Sequence, residues 1–131
     1  TAGPLAAGIP LTHRQLASSV TFVTAEEASG RPRSNVDWGG LARSTGTLVV
    51  FMCARRPGAM AARLVAGGRA ASTPVALVSR ATLPDQSVRY TTLGALAASD
   101  AISVPSPAIA VIGDVAAFPR RQEVGNVQHV A

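Results

Sequence analysis

The sequence predicts an α/β domain built on a mixed, mostly five-stranded sheet with flanking helices. Three observations predict it. Two apolar runs, TLVVFM at 47–52 and TPVALVS at 73–79, are nearly continuous, as strands covered on both faces are. Ala- and Leu-rich stretches with helix start and stop signals separate the apolar runs, so the two element types alternate along the chain. SVRYTT at 87–92 instead alternates residue by residue after a turn at LPDQ, which adds an antiparallel or edge strand.

Each element has its own justification. Residues 1–8 read as the end of an Ala-rich helix, stopped near Gly8 and Pro10. The domain proper is expected over 9–118. SSVTFVT, 18–24, is β-branched and reads as a strand. AEEASGRPRSNV is polar, with Gly and Pro, and reads as a loop. Asp37 then caps a short helix, DWGGLARS. Pro57 suits the first turn of a second helix, GAMAARLVAGG, whose buried side is expected from Ala59, Ala62, Leu64 and Val65, with Gly67 and Gly68 ending it. LGALAAS forms a third helix. PAIAVIGDVAAF, from Pro107, forms the last strand, its regularity broken at Gly113, and 119–131 reads as a loose tail.

Composition bounds what such a domain can do. At 131 residues it buries about two-thirds of the surface its unfolded form exposes. Aromatics make up only 4%, so Val, Ala, Leu and Ile must build the core. All 12 basic residues are arginine, and the net charge of +5 favours an anionic partner. Nucleic acid is not expected, because the arginines are scattered apart from Arg55-Arg56 and Arg120-Arg121, and Trp38 and Tyr90 stand alone. No apolar run approaches the ~20 residues of a membrane span. Cys53, the single cysteine, can form no internal disulfide. His13 and His129 belong to no ligand-spaced cluster, so no metal is expected. No nucleotide-binding or nucleophile motif occurs, and no catalytic acid, base or nucleophile is assigned.

Two places remain that could bind a ligand. In α/β sheets ligands collect at the carboxyl ends of strands, and the two apolar runs end in Met52-Cys53-Ala54 and Arg80-Ala81-Thr82. Small residues there admit a ligand to the backbone. Taken singly, Met52 reads more readily as core filler and Cys53 as a small buried apolar residue. The other place is AGIPLTHRQLASS, 7–19. Pro10 fixes the local backbone ahead of Thr12, which offers a hydroxyl, and His13 and Arg14, whose guanidinium can grip an anion with two donors. A lone arginine is more often a surface or structural one.

AGIPLTHRQLASSVTFVT resembles the tetrapyrrole methylase family, in particular the segment that opens the second domain of its uroporphyrinogen-III C-methyltransferases. The likeness continues through VDWGGLARSTGTLVVFM, AARLVAGGRAASTPVALVSRAT, Asp85-Gln86 and PAIAVIGDV, covering about residues 3–116. It implies a two-domain enzyme that binds S-adenosylmethionine (released as S-adenosylhomocysteine) in the cleft between domains. Such an enzyme methylates uroporphyrinogen III twice, towards sirohaem and cobalamin. This chain corresponds to the C-terminal domain. The first domain's glycine- and proline-rich loop and Gly-Gly-Asp motif have no counterpart in it. By the same likeness Arg14, with Thr12 and His13 beside it, faces the anionic tetrapyrrole. Met52, Cys53 and Ala81 border the methyl donor, and Pro107 and Ala108 line its adenine end. Cys53 stands where glycine is common, and Ala25-Glu26 where Gly-His is common. A cytoplasmic homodimer is implied, completed by an N-terminal domain. Two other readings keep the fold: a dimerisation or binding module without activity of its own, and a methylase acting on a later corrin intermediate or on ribosomal RNA.

Overall fold

The computed structural model describes residues 4, 7–25, 36–51, 53, 55–99 and 104–117. Its strands are β1 (Val20–Thr24), β2 (Thr47–Phe51), β3 (Pro74–Ser79), β4 (Ser87–Thr92) and β5 (Ala108–Ile112). The helices are α1 (Trp38–Arg43), α2 (Pro57–Ala66) and α3 (Leu93–Ala97), and a 3-10 turn (Asp114–Ala117) follows β5. The sheet runs β1-β2-β5-β3-β4. β1 and β2 are parallel, and β5 lies antiparallel to both β2 and β3. β4 is antiparallel to β3 at the edge. The expected mixed five-stranded sheet is therefore present.

Alternation decides which side chain faces which layer. On one face Leu48, Val50, Val75, Leu77, Ala110 and Ile112 pack against the helices, which contribute Ala42, Met60, Ala61, Leu64, Leu93 and Leu96. On the other face Ala76, Val78 and Val111 are covered by Ile9, Val115 and Ala116, with Leu11, Leu16 and Ala17 packed alongside. Covered on both sides, β2 and β3 are buried along nearly their whole length, which is why their sequences read as unbroken apolar runs. The edge strands β1 and β4 show interrupted burial instead.

The helices begin and end where the sequence signals place them. The Asp37 carboxylate accepts from the Gly40 N–H at 3.0 Å and caps α1. Pro57 opens α2, and beyond its C-cap Gly67 the chain turns at Gly68 with φ +112°. The Thr92 hydroxyl caps α3 by accepting from the Ala95 N–H.

One expectation is corrected. The inward side of α2 is Pro57, Gly58, Met60, Ala61 and Leu64, whereas Ala59 and Ala62 are exposed. The helix is rotated because Gly58 seats directly on the end of α3: a Cβ there would stand 2.8 Å from the Ser99 carbonyl oxygen and 2.9 Å from that of Leu96. Most of 1–8, the loop over 26–35 and the tail over 119–131 lie outside the described residues.

Candidate functional site at the carboxyl edge of the sheet

β1, β2 and β3 run the same way, and β5 runs against them, so the carboxyl ends of β1–β3 share an edge with the amino end of β5. Register pairs Ser79 with Ala108 and Phe51 with Ile109. The segments after β2, after β3 and before β5 consequently meet at one place. Cys53 is buried there, its thiol 3.8 Å from the Ala108 carbonyl oxygen, to which it donates. Arg80 donates its backbone N–H to the Pro107 carbonyl at 2.8 Å. Of the residues expected to bind the donor, Cys53 meets Ala108, and Pro107 meets Arg80, the neighbour of Ala81; Ala81 packs on the opposite face of the sheet from Cys53 and Ala108, and Met52 lies outside the described residues.

Arginine clamps this edge. Arg80 Nη1 donates to the Ser106 carbonyl at 3.2 Å, and Nε lies 2.5 Å from Asp85 Oδ2. The hydrogen bond from Arg80, more than the Coulombic attraction, holds the Asp85 carboxyl below the usual carboxylate range. Arg80 and Thr82 also have φ of +50° and +69°. For residues with a Cβ this left-handed conformation costs free energy and persists only where surrounding contacts impose it, a condition that clusters at ligand sites. The Thr82 N–H donates to Gln86 Oε1 at 2.9 Å, holding the far side of the turn.

At this edge Cys53, Ala81 and Ala108 are small, and Cys53 and Ala108 are buried. Pro107, exposed at the rim, offers an apolar surface. Among the described residues no group of three metal-ligating side chains occurs, and no helix is long and apolar enough to cross a membrane.

Thr12, His13 and Arg14 are placed separately. The His13 N–H donates to the Ala17 carbonyl at 2.7 Å and the Ala17 N–H to the His13 carbonyl at 2.9 Å, closing a tight turn. His13 Nδ1 accepts from the Gln15 N–H at 3.2 Å inside that turn. Arg14 is exposed at its tip. Two residues on, Leu16 lines a cleft with Gly46, Arg69, Gly113 and Asp114, at the opposite edge of the sheet. The Thr12–Arg14 turn stands apart from the segments that meet at the carboxyl edge.

Sequence reasoning missed two features. The left-handed Arg80 and Thr82 carry no signal, since neither is Gly, Asn or Asp. The second is an aromatic-cation pair: the Arg63 guanidinium carbon lies 5.7 Å from the centroid of the Trp38 ring. Trp38 is 25 positions from Arg63, and only the packing of α1 on α2 brings them together.

This geometry has relatives. Residues 1–97 match the family described as Tetrapyrrole (Corrin/Porphyrin) Methylases. A uroporphyrinogen-III C-methyltransferase of Sinorhizobium sp is 41% identical over 83% of this chain, which spans 39% of that relative. An S-adenosyl-L-methionine-dependent uroporphyrinogen III methyltransferase of Methanosarcina barkeri is 43% identical over 86% of the chain and 44% of its own length. The chain thus spans less than half the length of these curated relatives. A Thermus thermophilus uroporphyrin-III C-methyl transferase, solved with S-adenyl homocysteine, superposes with a TM-score of 0.76 at 32% identity, covering 87% of this chain and 50% of that one. With a five-stranded sheet of the same build and a family match over more than half its length, the chain belongs to the tetrapyrrole (corrin/porphyrin) methylases.

Proposed function

We propose that this chain is the C-terminal part of an S-adenosylmethionine-dependent uroporphyrinogen-III C-methyltransferase, forming one wall of the cleft that holds donor and tetrapyrrole. The observation that carries the reading is the meeting of the segments after β2, after β3 and before β5 at one sheet edge, in a fold shared with a methyltransferase solved with S-adenyl homocysteine. The donor supplies a methyl carbon already made electrophilic by the sulfonium. Carbon–carbon bond formation then asks little acid–base chemistry of the protein, and alignment and water exclusion carry most of the rate. The chain's own contribution is positional. The Arg80 clamp holds the turn after β3 against Ser106 and Pro107, and the small side chains leave the backbone open to the donor. Arg14 is exposed on a turn apart from this wall, so its grip on the carboxylates of the macrocycle requires the tetrapyrrole to extend beyond the donor edge. In this reading the enzyme serves sirohaem and cobalamin synthesis as a cytoplasmic homodimer, and an N-terminal domain closes the cleft.

The test is methyl transfer from labelled S-adenosylmethionine to uroporphyrinogen III by the enzyme carrying this chain. Two methyl groups per macrocycle are expected. Transfer only to later ring intermediates would overturn the substrate. Arg14→Ala should raise KM for the tetrapyrrole about tenfold, as loss of one charge-assisted bond does, and leave donor affinity unchanged. Equal loss of both would remove Arg14 from the substrate side.

A further inference from the structure

The turn between β3 and β4, residues 80–86, carries more bonding than closing a hairpin requires. β3 and β4 pair from Pro74 with Thr92 up to Ser79 with Ser87, so the strands by themselves bring the ends of the turn together. Within it Arg80 and Thr82 are left-handed, with φ of +50° and +69°. Glycine takes that conformation at little cost, whereas a β-branched residue there is an outlier. The turn keeps its threonine and uses a second residue, Gln86, to hold it. The half-buried Gln86 accepts from the Thr82 N–H at 2.9 Å through its side-chain oxygen, and its main-chain N–H donates to the Leu83 carbonyl at 3.0 Å. One residue therefore grips the turn with both its side chain and its backbone.

That grip sets the direction of one carbonyl. In a trans peptide the N–H and the C=O point opposite ways. The Ala81–Thr82 peptide is trans, and with its N–H turned in to Gln86 its oxygen is turned away from that residue. Among the described residues the Ala81 carbonyl accepts no hydrogen bond. The residues on both sides of this peptide are tied down: Arg80 donates to the Pro107 and Ser106 carbonyls, and Thr82 to Gln86. The peptide cannot rotate without breaking one of these bonds. An open acceptor held in one direction suits a ligand with an N–H or O–H group, because its orientation is settled before binding.

We propose that Gln86 is a positioning residue for the methyl donor: acting through the Thr82 N–H, it fixes the Ala81 carbonyl as the acceptor for an N–H or O–H group of that ligand. The identity of the ligand rests on the functional reading above; the pinning of the peptide does not. Gln86 acts on the ligand only through this peptide.

The enzyme carrying this chain is titrated calorimetrically with S-adenosylhomocysteine. Gln86→Met keeps the stem and deletes the acceptor, and affinity should fall about fivefold, as loss of one neutral hydrogen bond predicts. Gln86→Glu keeps an oxygen at the same reach and should restore most of it. Arg69→Met, which removes three donors to carbonyls at the opposite edge, should lower Tm and leave donor affinity alone. That control separates positioning from general loosening. Hydrogen exchange at the Thr82 amide reads the pin itself, slow in the wild type and in Gln86→Glu and fast in Gln86→Met. If Gln86→Met does not fold, the change is made together with Thr82→Gly, which keeps the N–H and relieves the left-handed strain. The same fivefold loss is then expected relative to Thr82→Gly alone. Donor affinity unchanged without the Gln86 acceptor, or not recovered in Gln86→Glu, would overturn the role, and so would fast exchange at Thr82 in the wild type. Donor binding that depends on Gln86 in an enzyme inactive on uroporphyrinogen III would sink the functional reading and leave the role of Gln86 standing. A wild-type enzyme that binds no S-adenosylhomocysteine would overturn both.

Discussion

Arg80→Met tests whether the carboxyl edge is a built wall. Methionine keeps the aliphatic stem and removes the fork that donates to Ser106 O at 3.2 Å and meets Asp85 at 2.5 Å. A charged donor on a carbonyl contributes about 1.5–3 kcal/mol, and the Arg80 side chain is 38% exposed, so water competition reduces this to about 1 kcal/mol. The ion pair adds little, because water screens Asp85. In a domain of this size a loss of about 1 kcal/mol lowers Tm by about 3–5 °C. Donor affinity cannot fall by more than the tether supplied, which caps the loss at about tenfold. Calorimetric melting reads the first quantity, and titration of the enzyme with S-adenosylhomocysteine the second. A lower Tm with unchanged donor affinity would refute the edge as a donor wall; no change in either would refute the tether. Acidification supplies an internal check. Arg80 lowers the pKa of Asp85 in the folded state, so the pair's contribution is complete above about pH 4 and lost as pH falls through the lowered value. Below that range the melting curves of the two proteins should draw closer.

Three other substitutions follow from single features. Arg69→Met removes donors to Leu41 O at 3.3 Å, Ser44 O at 3.1 Å and Gly46 O at 2.9 Å from a guanidinium whose pKa burial lowers; urea unfolding should show a loss of about 2–3 kcal/mol, and a loss below ~0.5 would refute the clamp. Thr47→Val deletes a buried hydroxyl that has no hydrogen-bond partner among the described residues, and should leave stability unchanged or raise it by about 1 kcal/mol in the same assay. Gly58→Ala drives a methyl against the Leu96 and Ser99 carbonyls and should cost about 1–3 kcal/mol; faster hydrogen exchange at Ala98 and Ser99 would locate the damage.

Elements whose signals are local were legible in the sequence. Asp37, Pro57 and Gly67-Gly68 act through their own backbone neighbours, and the structure uses each as the sequence suggests. The donor-side candidates were legible as strand ends, because a strand's exit is fixed by its own apolar run. What the run does not encode is its neighbour. β5 lies between β2 and β3, and that insertion brings Ala108 to Cys53 and Pro107 to Arg80. The phase of α2 was illegible for a related reason. Alanine at 59, 61 and 62 gives almost no contrast between faces, and the rotation is set by Gly58 against α3. The left-handed turn at Arg80 and Thr82 is likewise imposed from outside, by bonds to Pro107, Ser106 and Gln86.

The two edges of the sheet are held in different ways. At the amino edge Thr47 N–H donates to Ser19 O, Gly113 N–H to Pro74 O, and Arg69 satisfies three carbonyls around the β2 entry. These bonds are short-range and mutually supporting, so this edge resists opening. The carboxyl edge is tied by Ala25 N–H to Phe51 O, by the Cys53 thiol to Ala108 O and by Arg80, and it carries a strained turn whose two left-handed residues cost about 1–3 kcal/mol each. Such an arrangement is wasteful for folding alone. It becomes intelligible when the turn must present its backbone to a ligand in one geometry, and a reaction that needs alignment more than proton transfer gains from that rigidity. A chain poor in histidine and acids can therefore contribute to methyl transfer through the shape of one edge, provided that edge stays fixed while the rest of the enzyme closes over it.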